Sequence, residues 1–433
     1  MTIEHRTDTS LVTVLRHARN HAEYYRRLSL DEEDLETFPV IDRDLLRRNL
    51  VDLITDAAVK SRLLDILEGR AVPDAVATKT EFQVLNGIVI EQTSGSSGVP
   101  LRMPKTKAER TGLGLAAWKC RMRFDPSIRA ETFLPVFHRQ LDTQLEVSPF
   151  ESSATAIGRF YAWVASKGIR WLHAPVSLMA YHAGVLRARR MQTPAPSLRF
   201  VELAGSHPDE AARQLIASTF GVRTINHYGT RESWTIGLAE GQFPFTLNDE
   251  AVHVELLDGG GRPITECGRE GSVAITSKIL RLLPLIRYRT GDRGAWRSEP
   301  ADSGGLARRL VLAAERDINM LFHGGRWQSG NTLFKEVLHN IDRTVGFGYT
   351  RFMQIRKTGA FRWKLVVTEG EASQAISGEL KAYLSRWDSR NQLETELLAE
   401  HQGRALVERK PYLFVNEFER PPAGAAPGDH GPT

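Results

Sequence analysis

Cysteine is almost absent from this sequence. Only Cys120 and Cys267 occur among 433 residues, far apart and without a C-x-x-C pair. A structural zinc site or a disulfide framework needs several suitably spaced cysteines, so neither is expected. Such sparse use of cysteine is typical of a reducing cytosol, and we expect a cytoplasmic protein.

Long runs of one residue class are also missing. The densest basic cluster is RARR at 187–190, which a solvated helix face explains, and the formal net charge is only +5. Even with a pI of about 9.2, this surplus gives no reason to expect a nucleic-acid partner. No apolar run reaches the roughly 18–20 residues of a membrane helix, and the polar start MTIEHRTDTS is unlike a signal peptide. No membrane partner is therefore expected.

Apolar residues make up 41% of the chain, which is enough for two or three domains. Residues 1–80 carry leucines at helical spacing and predict a helical segment. Strand-like and helix-like segments then alternate, which predicts an α/β fold of mixed, mostly parallel sheets with helices. We place a large domain at 1–315. Within it, short strands with glycine-rich turns at about 250–300 predict a small β subdomain.

The end of the chain predicts a second, small domain. We place a mobile α+β C-terminal lid domain at 316–418. Within it, FMQIRKTGAFRWKLVVTEG (352–370) predicts a hairpin, and SGELKAYLSRWDSRNQLETELLAEH (377–401) predicts one or two helices. Residues 419–433 are rich in proline, glycine and alanine and predict a disordered tail.

The segment TSGSSGVP at 93–100 concentrates small hydroxylated residues and glycines after the strand-like run GIVI. Backbone N–H groups and hydroxyls in such a loop can hold a phosphate, and glycine allows a close backbone approach. The lysine of the pattern GxxxxGK[ST] does not follow Gly98. On its own, therefore, the loop fits a phosphate site and a plain turn equally well.

Three further stretches accompany this loop, in order LPVFH at 134–138, NHYGTRES at 226–233 and LPLIRYRTGDRG at 283–294. Together the four segments resemble the superfamily of adenylate-forming enzymes, which comprises acyl-CoA synthetases, peptide-synthetase adenylation domains and luciferases. The likeness is greatest to the phenylacetate–CoA ligase branch and its capsular-polysaccharide-type relatives. It extends over roughly residues 40–330, and its most specific part is the segment that ends in RYRTGD.

The resemblance implies a site for ATP and Mg²⁺. It assigns Glu232 to the metal, Tyr228 to stacking near the adenine, and Asp292 to the ribose hydroxyls. Core packing of the tyrosine and an ordinary TGD turn stay open as alternatives. The other nucleotide-binding candidates lie in the hydroxyl loop, beside the tyrosine, after a strand near 200 and at the start of the interdomain hinge. They are Thr93, Ser94, Gly95, Ser96, Ser97, Gly98, Gly229, Thr230, Ala204, Gly205, Ser206 and Arg316.

A pocket for the acid is expected between about 130 and 235, with His138, Tyr161 and Trp234 as candidate lining residues. An aromatic lining suits a flat aryl acid, although core packing explains such side chains equally well.

Some candidate catalytic positions depart from the family pattern. Arg231 stands where the superfamily usually has threonine before Glu232, and its guanidinium can hold an anionic substrate or face solvent. Relatives carry a catalytic lysine near the end of the chain in a Gly-Lys context. Lys410 is the candidate here, without the preceding glycine, and an ordinary lysine at a strand end is the alternative.

These residues predict an ATP-dependent ligase. It would activate an organic, aryl-type carboxylate as an acyl-AMP, release pyrophosphate, and transfer the acyl group to coenzyme A, a carrier thiol or an amine. Activation of a small oxyanion such as nitrite is one alternative, and a non-catalytic nucleotide-binding scaffold is another. The expected cofactors are ATP and Mg²⁺, with coenzyme A as a candidate co-substrate. The expected partner is a small-molecule acid, and the sequence leaves dimer formation open.

Overall fold

The chain divides into two compact units in a computed structural model. The first unit comprises Met1–Ser127, His227–Ala239 and Phe243–Ala313, and the second comprises Ile128–Asn226, Glu240–Gln242 and Ala314–Thr433. The residues that the structure describes are 9–67, 81–85, 88–92, 101–136, 147–149, 153–191, 195–205, 210–300, 306–313, 320–324, 326–334, 337, 341, 353–368, 371–399 and 414–418.

Short helices begin the first unit. Helices α1 to α5 are Thr9–His21, Glu23–Arg26, Arg43–Arg48, Leu50–Leu53 and Ala57–Leu67. The Asp42 side chain accepts a hydrogen bond from the Leu45 N–H and caps the start of α3. Leu15, Tyr25 and Leu46 are buried in the core cluster of this unit, so the helices contribute one apolar face each.

A three-stranded antiparallel sheet follows. Its strands, β1 to β3, are Glu81–Leu85, Ile88–Gln92 and Arg102–Thr106, in that order. Helix α6, Lys107–Met122, starts directly after β3 with a capping box in which Thr106 and Glu109 bind each other's backbone N–H groups. Glu109 also accepts from the Leu282 N–H at 2.8 Å, so one carboxylate ties the start of α6 to a distant segment.

Four strands between residues 252 and 312 form an antiparallel sheet in the first unit. Its strands, β10 to β13, pair in chain order and are Val252–Leu257, Glu270–Ser277, Tyr288–Pro300 and Leu306–Leu312. This sheet coincides with the β-rich part expected at about 250–300. In the same unit, β9, Thr246–Leu247, pairs antiparallel with β8, Trp234–Glu240.

A parallel sheet lies in the second unit, except for residues 227–230 at the end of its last strand, which belong to the first unit. Strands β4 to β7 are Phe133–Pro135, Trp171–Pro175, Phe200–Ala204 and Arg223–Thr230, and neighbours in this order pair in parallel. Helices α7 to α9, at Ala154–Ser166, Val176–Ala188 and Glu210–Phe220, alternate with these strands along the chain. Their apolar faces and the strand residues Leu172, Val201 and Leu203 form one buried core.

The elements of the C-terminal part of the second unit are β14 Met320–His323, β15 Arg326–Ser329, α10 Gly330–Leu333, β16 Met353–Gly359, β17 Arg362–Thr368, α11 Glu371–Trp387, β18 Gln392–Leu398 and β19 Phe414–Asn416. This part contains a mixed sheet in the order β18-β17-β16-β19. The antiparallel pair β16–β17 confirms the predicted hairpin. Helix α11 confirms one helix in the segment 377–401, whereas the helical prediction is wrong for 392–398, because these residues pair in parallel with all of β17.

The described helices and sheets confirm the predicted mixed α/β class. Parallel pairing joins β4 to β7 in chain order, β16 with β19 and β17 with β18, whereas the sheets of β1 to β3 and β10 to β13 are antiparallel. The domain boundary near 316 stays a prediction, and residues 419–433 lie outside the described residues. Both cysteines carry free thiols. None of the helices among the described residues is long and apolar enough to cross a membrane.

Candidate active site

The segment from Tyr228 to Trp234 belongs to the first unit and forms a tight turn between two strands. Strand β7 ends at Thr230 and β8 begins at Trp234. Within the turn, the Ser233 N–H donates to Thr230 Oγ1 at 3.2 Å. A Cβ at Gly229 would lie 2.3 Å from the carbonyl oxygen of Trp234, so only glycine allows the two strands to approach this closely.

Tyr228 and Asp292, 64 positions apart in sequence, are hydrogen-bonded to each other. The tyrosine hydroxyl donates to Asp292 Oδ2 at 3.0 Å and lies 3.1 Å from Thr290 Oγ1. Thr290 Oγ1 also accepts from the Asp292 N–H at 3.1 Å and donates to the Val273 carbonyl at 3.2 Å. Because Tyr228 is only 5% exposed, its hydroxyl holds the carboxylate of Asp292 in one orientation.

Glu232 is positioned by a second tyrosine. The Tyr288 hydroxyl donates to Glu232 Oε1 at 2.9 Å, and both side chains are buried. An ionised carboxylate has about four lone-pair sites, so one phenol donor leaves it able to bind a hard cation. Strand β12, which carries Tyr288, Thr290 and Asp292, therefore holds side chains that contact both Tyr228 and Glu232 of the turn.

A buried ion pair that the sequence analysis did not predict lies beside this turn. Lys105 Nζ donates to Glu91 Oε2 at 2.8 Å and to the Arg231 carbonyl oxygen at 2.9 Å. The two charged side chains are 1% and 0% exposed. The only sequence signal for this pair is a charged residue, Glu91, directly after the apolar run IVI.

In this ion pair, burial and the charged partner shift the pKa of each side chain in opposite directions. Burial lowers the pKa of Lys105 below its usual value, and the nearby carboxylate of Glu91 only partly offsets this effect. Burial would raise the pKa of Glu91, but the charge and hydrogen bond of Lys105, the hydrogen bond from Trp234 and the charge of Arg231 together outweigh it, so the pKa is lowered. The carboxylate of Glu91 is therefore ionised at neutral pH.

Comparison with known proteins identifies the fold. No family model matches the chain, and no curated protein matches its sequence. A 2-hydroxyisobutyryl-CoA ligase in the postadenylation state, in complex with R3-HIB-AMP, matches with a TM-score of 0.56 and 15% identity over 95% of this chain and 87% of that chain. The same ligase with 2-HIB-AMP and CoA, in the thioesterification state, matches with a TM-score of 0.55 and 16% identity over 95% of this chain and 88% of that chain.

The chain has the fold of the adenylate-forming enzymes. This finding confirms the fold that the resemblance implies, whereas membership of the superfamily and of its phenylacetate–CoA ligase branch stays a prediction. At 15% and 16% identity the likeness concerns the fold.

The Trp234 side chain contacts Glu91 and Arg110 in the first unit. Its indole Nε1 donates to Glu91 Oε2 at 3.1 Å, and the Arg110 guanidinium lies 5.6 Å from the ring centroid. Its φ of +61° is unusual for a bulky residue, so the contacts of the ring must stabilise the start of β8. The assignment of Trp234 to an acid pocket stays a prediction.

Other predicted site residues lie in the second unit. Ala204 is the last residue of β6, and Gly205 follows it with a φ of +92°, which suits glycine. Tyr161 is 0% exposed within the core, and its hydroxyl lies 3.0 Å from His182 Nδ1. Burial lowers the pKa of His182 to about 4. The roles proposed for Ala204, Gly205 and Tyr161 stay predictions.

Several predicted site residues lie outside the described residues, and their roles also stay predictions. They are Thr93, Ser94, Gly95, Ser96, Ser97, Gly98, His138, Ser206, Arg316 and Lys410. The structure thus brings together Tyr228, Thr230, Arg231, Glu232 and Asp292 among the predicted set, all in the first unit.

Proposed function

We propose that this chain is an ATP-dependent ligase that activates an organic acid as an acyl-AMP. One observation carries the proposal. The hydrogen bonds from Tyr228 to Asp292 and from Tyr288 to Glu232 join two distant motifs of an adenylate-forming fold into one site with two fixed carboxylates. Such a site suits a nucleotide with its cation, because one carboxylate can accept from hydroxyls while the other can bind metal.

In the proposed complex, Asp292 accepts hydrogen bonds from the ribose hydroxyls. Tyr228 prepares this contact because its hydroxyl already fixes one carboxylate oxygen at 3.0 Å, so less orientational freedom is lost when the nucleotide binds. Because only 5% of Tyr228 is exposed, we propose that this residue orients Asp292. Its stacking on the adenine is a separate proposal. The hydroxyl-rich segment 93–100 is proposed to hold the β- and γ-phosphates.

Glu232 fits a magnesium ion, because Mg²⁺ prefers oxygen ligands and binds through one or two carboxylates. When bound, Mg²⁺ would neutralise charge on the phosphate oxygens. The protein's own part is to hold Glu232 through Tyr288 while the acid oxyanion attacks the α-phosphorus. The bond from that phosphorus to the bridging oxygen then breaks, and pyrophosphate leaves with its electron pair.

The second half-reaction is proposed as attack of the coenzyme A thiol on the acyl carbonyl, which breaks the bond to the phosphate and releases AMP, with a carrier thiol or an amine as the alternative acceptors. Lys410 is proposed to stabilise the reacting carboxylate and α-phosphate, and Arg231 to contact an anionic substrate. Nitrite as the activated oxyanion remains within this proposal, because the chemistry at the α-phosphate is the same.

The test is ATP-dependent pyrophosphate release with aryl acids, fatty acids, amino acids and nitrite, each with and without coenzyme A or an amine. We expect release with one class of acid. The variant Glu232→Gln keeps the size of the side chain but removes its charge, and should lower the rate at least about 100-fold. ATP binding without release for any acid would favour the non-catalytic scaffold instead.

A further inference from the structure

We propose that the buried ion pair of Glu91 and Lys105 is a positioning pair for adenylation. It fixes the backbone of the turn that carries Glu232. This inference rests on the proposed function, which assigns Glu232 to the metal. The pair itself touches neither the nucleotide nor the acid in this proposal and acts through the turn.

The pair holds the turn at two points. Lys105 Nζ donates to the Arg231 carbonyl oxygen at 2.9 Å, and this carbonyl belongs to the peptide bond that links Arg231 to Glu232. Glu91 Oε2 accepts from Trp234 Nε1 at 3.1 Å, two positions after Glu232. The bond between Lys105 and Glu91, 2.8 Å long, connects the two anchors, and Glu232 lies between them in sequence.

A tyrosine completes the arrangement from a different element. Tyr288 in β12 fixes the Glu232 carboxylate at 2.9 Å, whereas Lys105 in β3 and Glu91 in β2 fix the backbone around it. The backbone and the side chain of the metal-binding candidate are thus held by separate strands. This is how a functional carboxylate is kept close to its productive geometry.

Stability alone does not explain a buried pair at this place. Removing two charges from water is costly, and apolar residues of similar volume often stabilise a protein equally well or better. An ammonium group offers three donors, and here two of them are directed to fixed acceptors, Glu91 and the Arg231 carbonyl. The pair also lies on the strands β2 and β3, which flank the hydroxyl-rich segment 93–100 in sequence.

The double variant Glu91→Gln/Lys105→Met tests the proposal. Glutamine keeps an acceptor for Trp234 and methionine fills most of the volume of lysine, so neither member of the pair is left as a buried charge. Arg110, whose Nε lies 3.2 Å from Glu91 Oε1, also loses its carboxylate, but its side chain is 27% exposed to solvent. The Arg231 carbonyl loses its ammonium donor. Because a displacement of about 1 Å can lower a rate about 100-fold, we expect that loss in kcat for pyrophosphate release and at least about tenfold weaker binding of Mg·ATP.

The matched control is Lys119→Met, which removes an exposed lysine of the same unit that pairs with Glu250 at 2.7 Å. It should leave both quantities unchanged. The Kd of Mg·ATP, measured by calorimetry, separates positioning from partial unfolding, because unfolded protein lowers the binding stoichiometry and not the affinity. A folded double variant with the kcat and the Kd of the wild type would overturn the proposal.

Two further outcomes are informative. If wild-type protein binds Mg·ATP but releases no pyrophosphate with any acid, the proposed function fails, and the Kd of the double variant still decides whether the pair positions the turn. If the double variant does not fold, Trp234→Phe keeps an aromatic ring and removes the donor to Glu91 together with part of the ring area. A several-fold weaker Kd of Mg·ATP in that variant supports the proposal, and an unchanged Kd contradicts it.

Discussion

Among single residues, Tyr228 and Asp292 give the most direct test of the nucleotide site. Asp292→Ala removes the carboxylate proposed for the ribose and should weaken ATP binding at least about 100-fold, since two charge-assisted hydrogen bonds are lost. Tyr228→Phe keeps this carboxylate and removes only the hydroxyl that orients it at 3.0 Å. We expect about tenfold weaker binding there. Calorimetric titration with ATP checks both, and equal affinities in wild type and Asp292→Ala would refute the assignment.

His182 makes the stability of the second unit depend on pH. Its folded pKa of about 4 lies below the ordinary value of 6.5, because the ring is buried. Between these values the unfolded chain binds a proton that the folded chain does not. The stabilisation is therefore complete above pH 6.5 and is lost as the pH falls through about 4. Between pH 7 and pH 5 we expect a loss of about 2 kcal/mol from this residue.

The variant His182→Asn checks this prediction, because asparagine can still accept from the Tyr161 hydroxyl but does not titrate. Urea unfolding at pH 7 and pH 5 should show that wild type loses about 2 kcal/mol more than the variant. Equal losses in the two proteins would mean that His182 is already charged in the folded state.

Short motifs decide which parts of the site could be predicted from the sequence. Tyr228, Glu232 and Asp292 were found because they stand in short motifs with specific chemistry. Glu91 and Lys105 were not predicted, because the role proposed for the pair depends on the hydrogen bond from Lys105 to the Arg231 carbonyl, 126 positions away in sequence. A contact of a side chain with a distant backbone carbonyl leaves no local pattern in the sequence.

At the scale of elements, the turn between β7 and β8 provides a test of packing. Gly229→Ala places a Cβ 2.3 Å from the Trp234 carbonyl oxygen, so the two strands must separate. We expect a loss of more than about 2 kcal/mol in stability and loss of pyrophosphate release. Gly184→Ala in α8 is the matched control, because its Cβ would meet no atom within 4 Å. Alanine favours the helix there, so this variant should be slightly more stable.

Helices and strands were predictable where local pattern and tertiary pairing agree. The hairpin of β16 and β17 was predicted from two β-rich runs joined by a glycine-containing turn. Strand β18 was missed because NQLETELL is rich in good helix formers, glutamate and leucine. Its seven residues instead pair in parallel with β17, and this partner edge outweighs the weak local preference.

At the scale of the whole molecule, the described contacts of the proposed nucleotide site all lie in one unit. Tyr228, Glu232, Tyr288 and Asp292 belong to the first unit. The candidates Arg316 and Lys410 belong by sequence to the second. The effect of a bound nucleotide on the first unit can therefore be measured separately from any contribution of Arg316 and Lys410.

Amide hydrogen exchange of the protein, measured with and without AMP, reports the effect of the nucleotide on the first unit. A ligand at 100 times its Kd stabilises the state that binds it by about 2.7 kcal/mol, and amides that open only when the site opens gain protection by that amount. We expect this gain at residues 228–234 and 288–292, where the carboxylates are fixed. Asp292→Ala should abolish it at the same AMP concentration. Protection confined to the second unit, with none at these residues, would move the nucleotide site away from Tyr228 and Asp292.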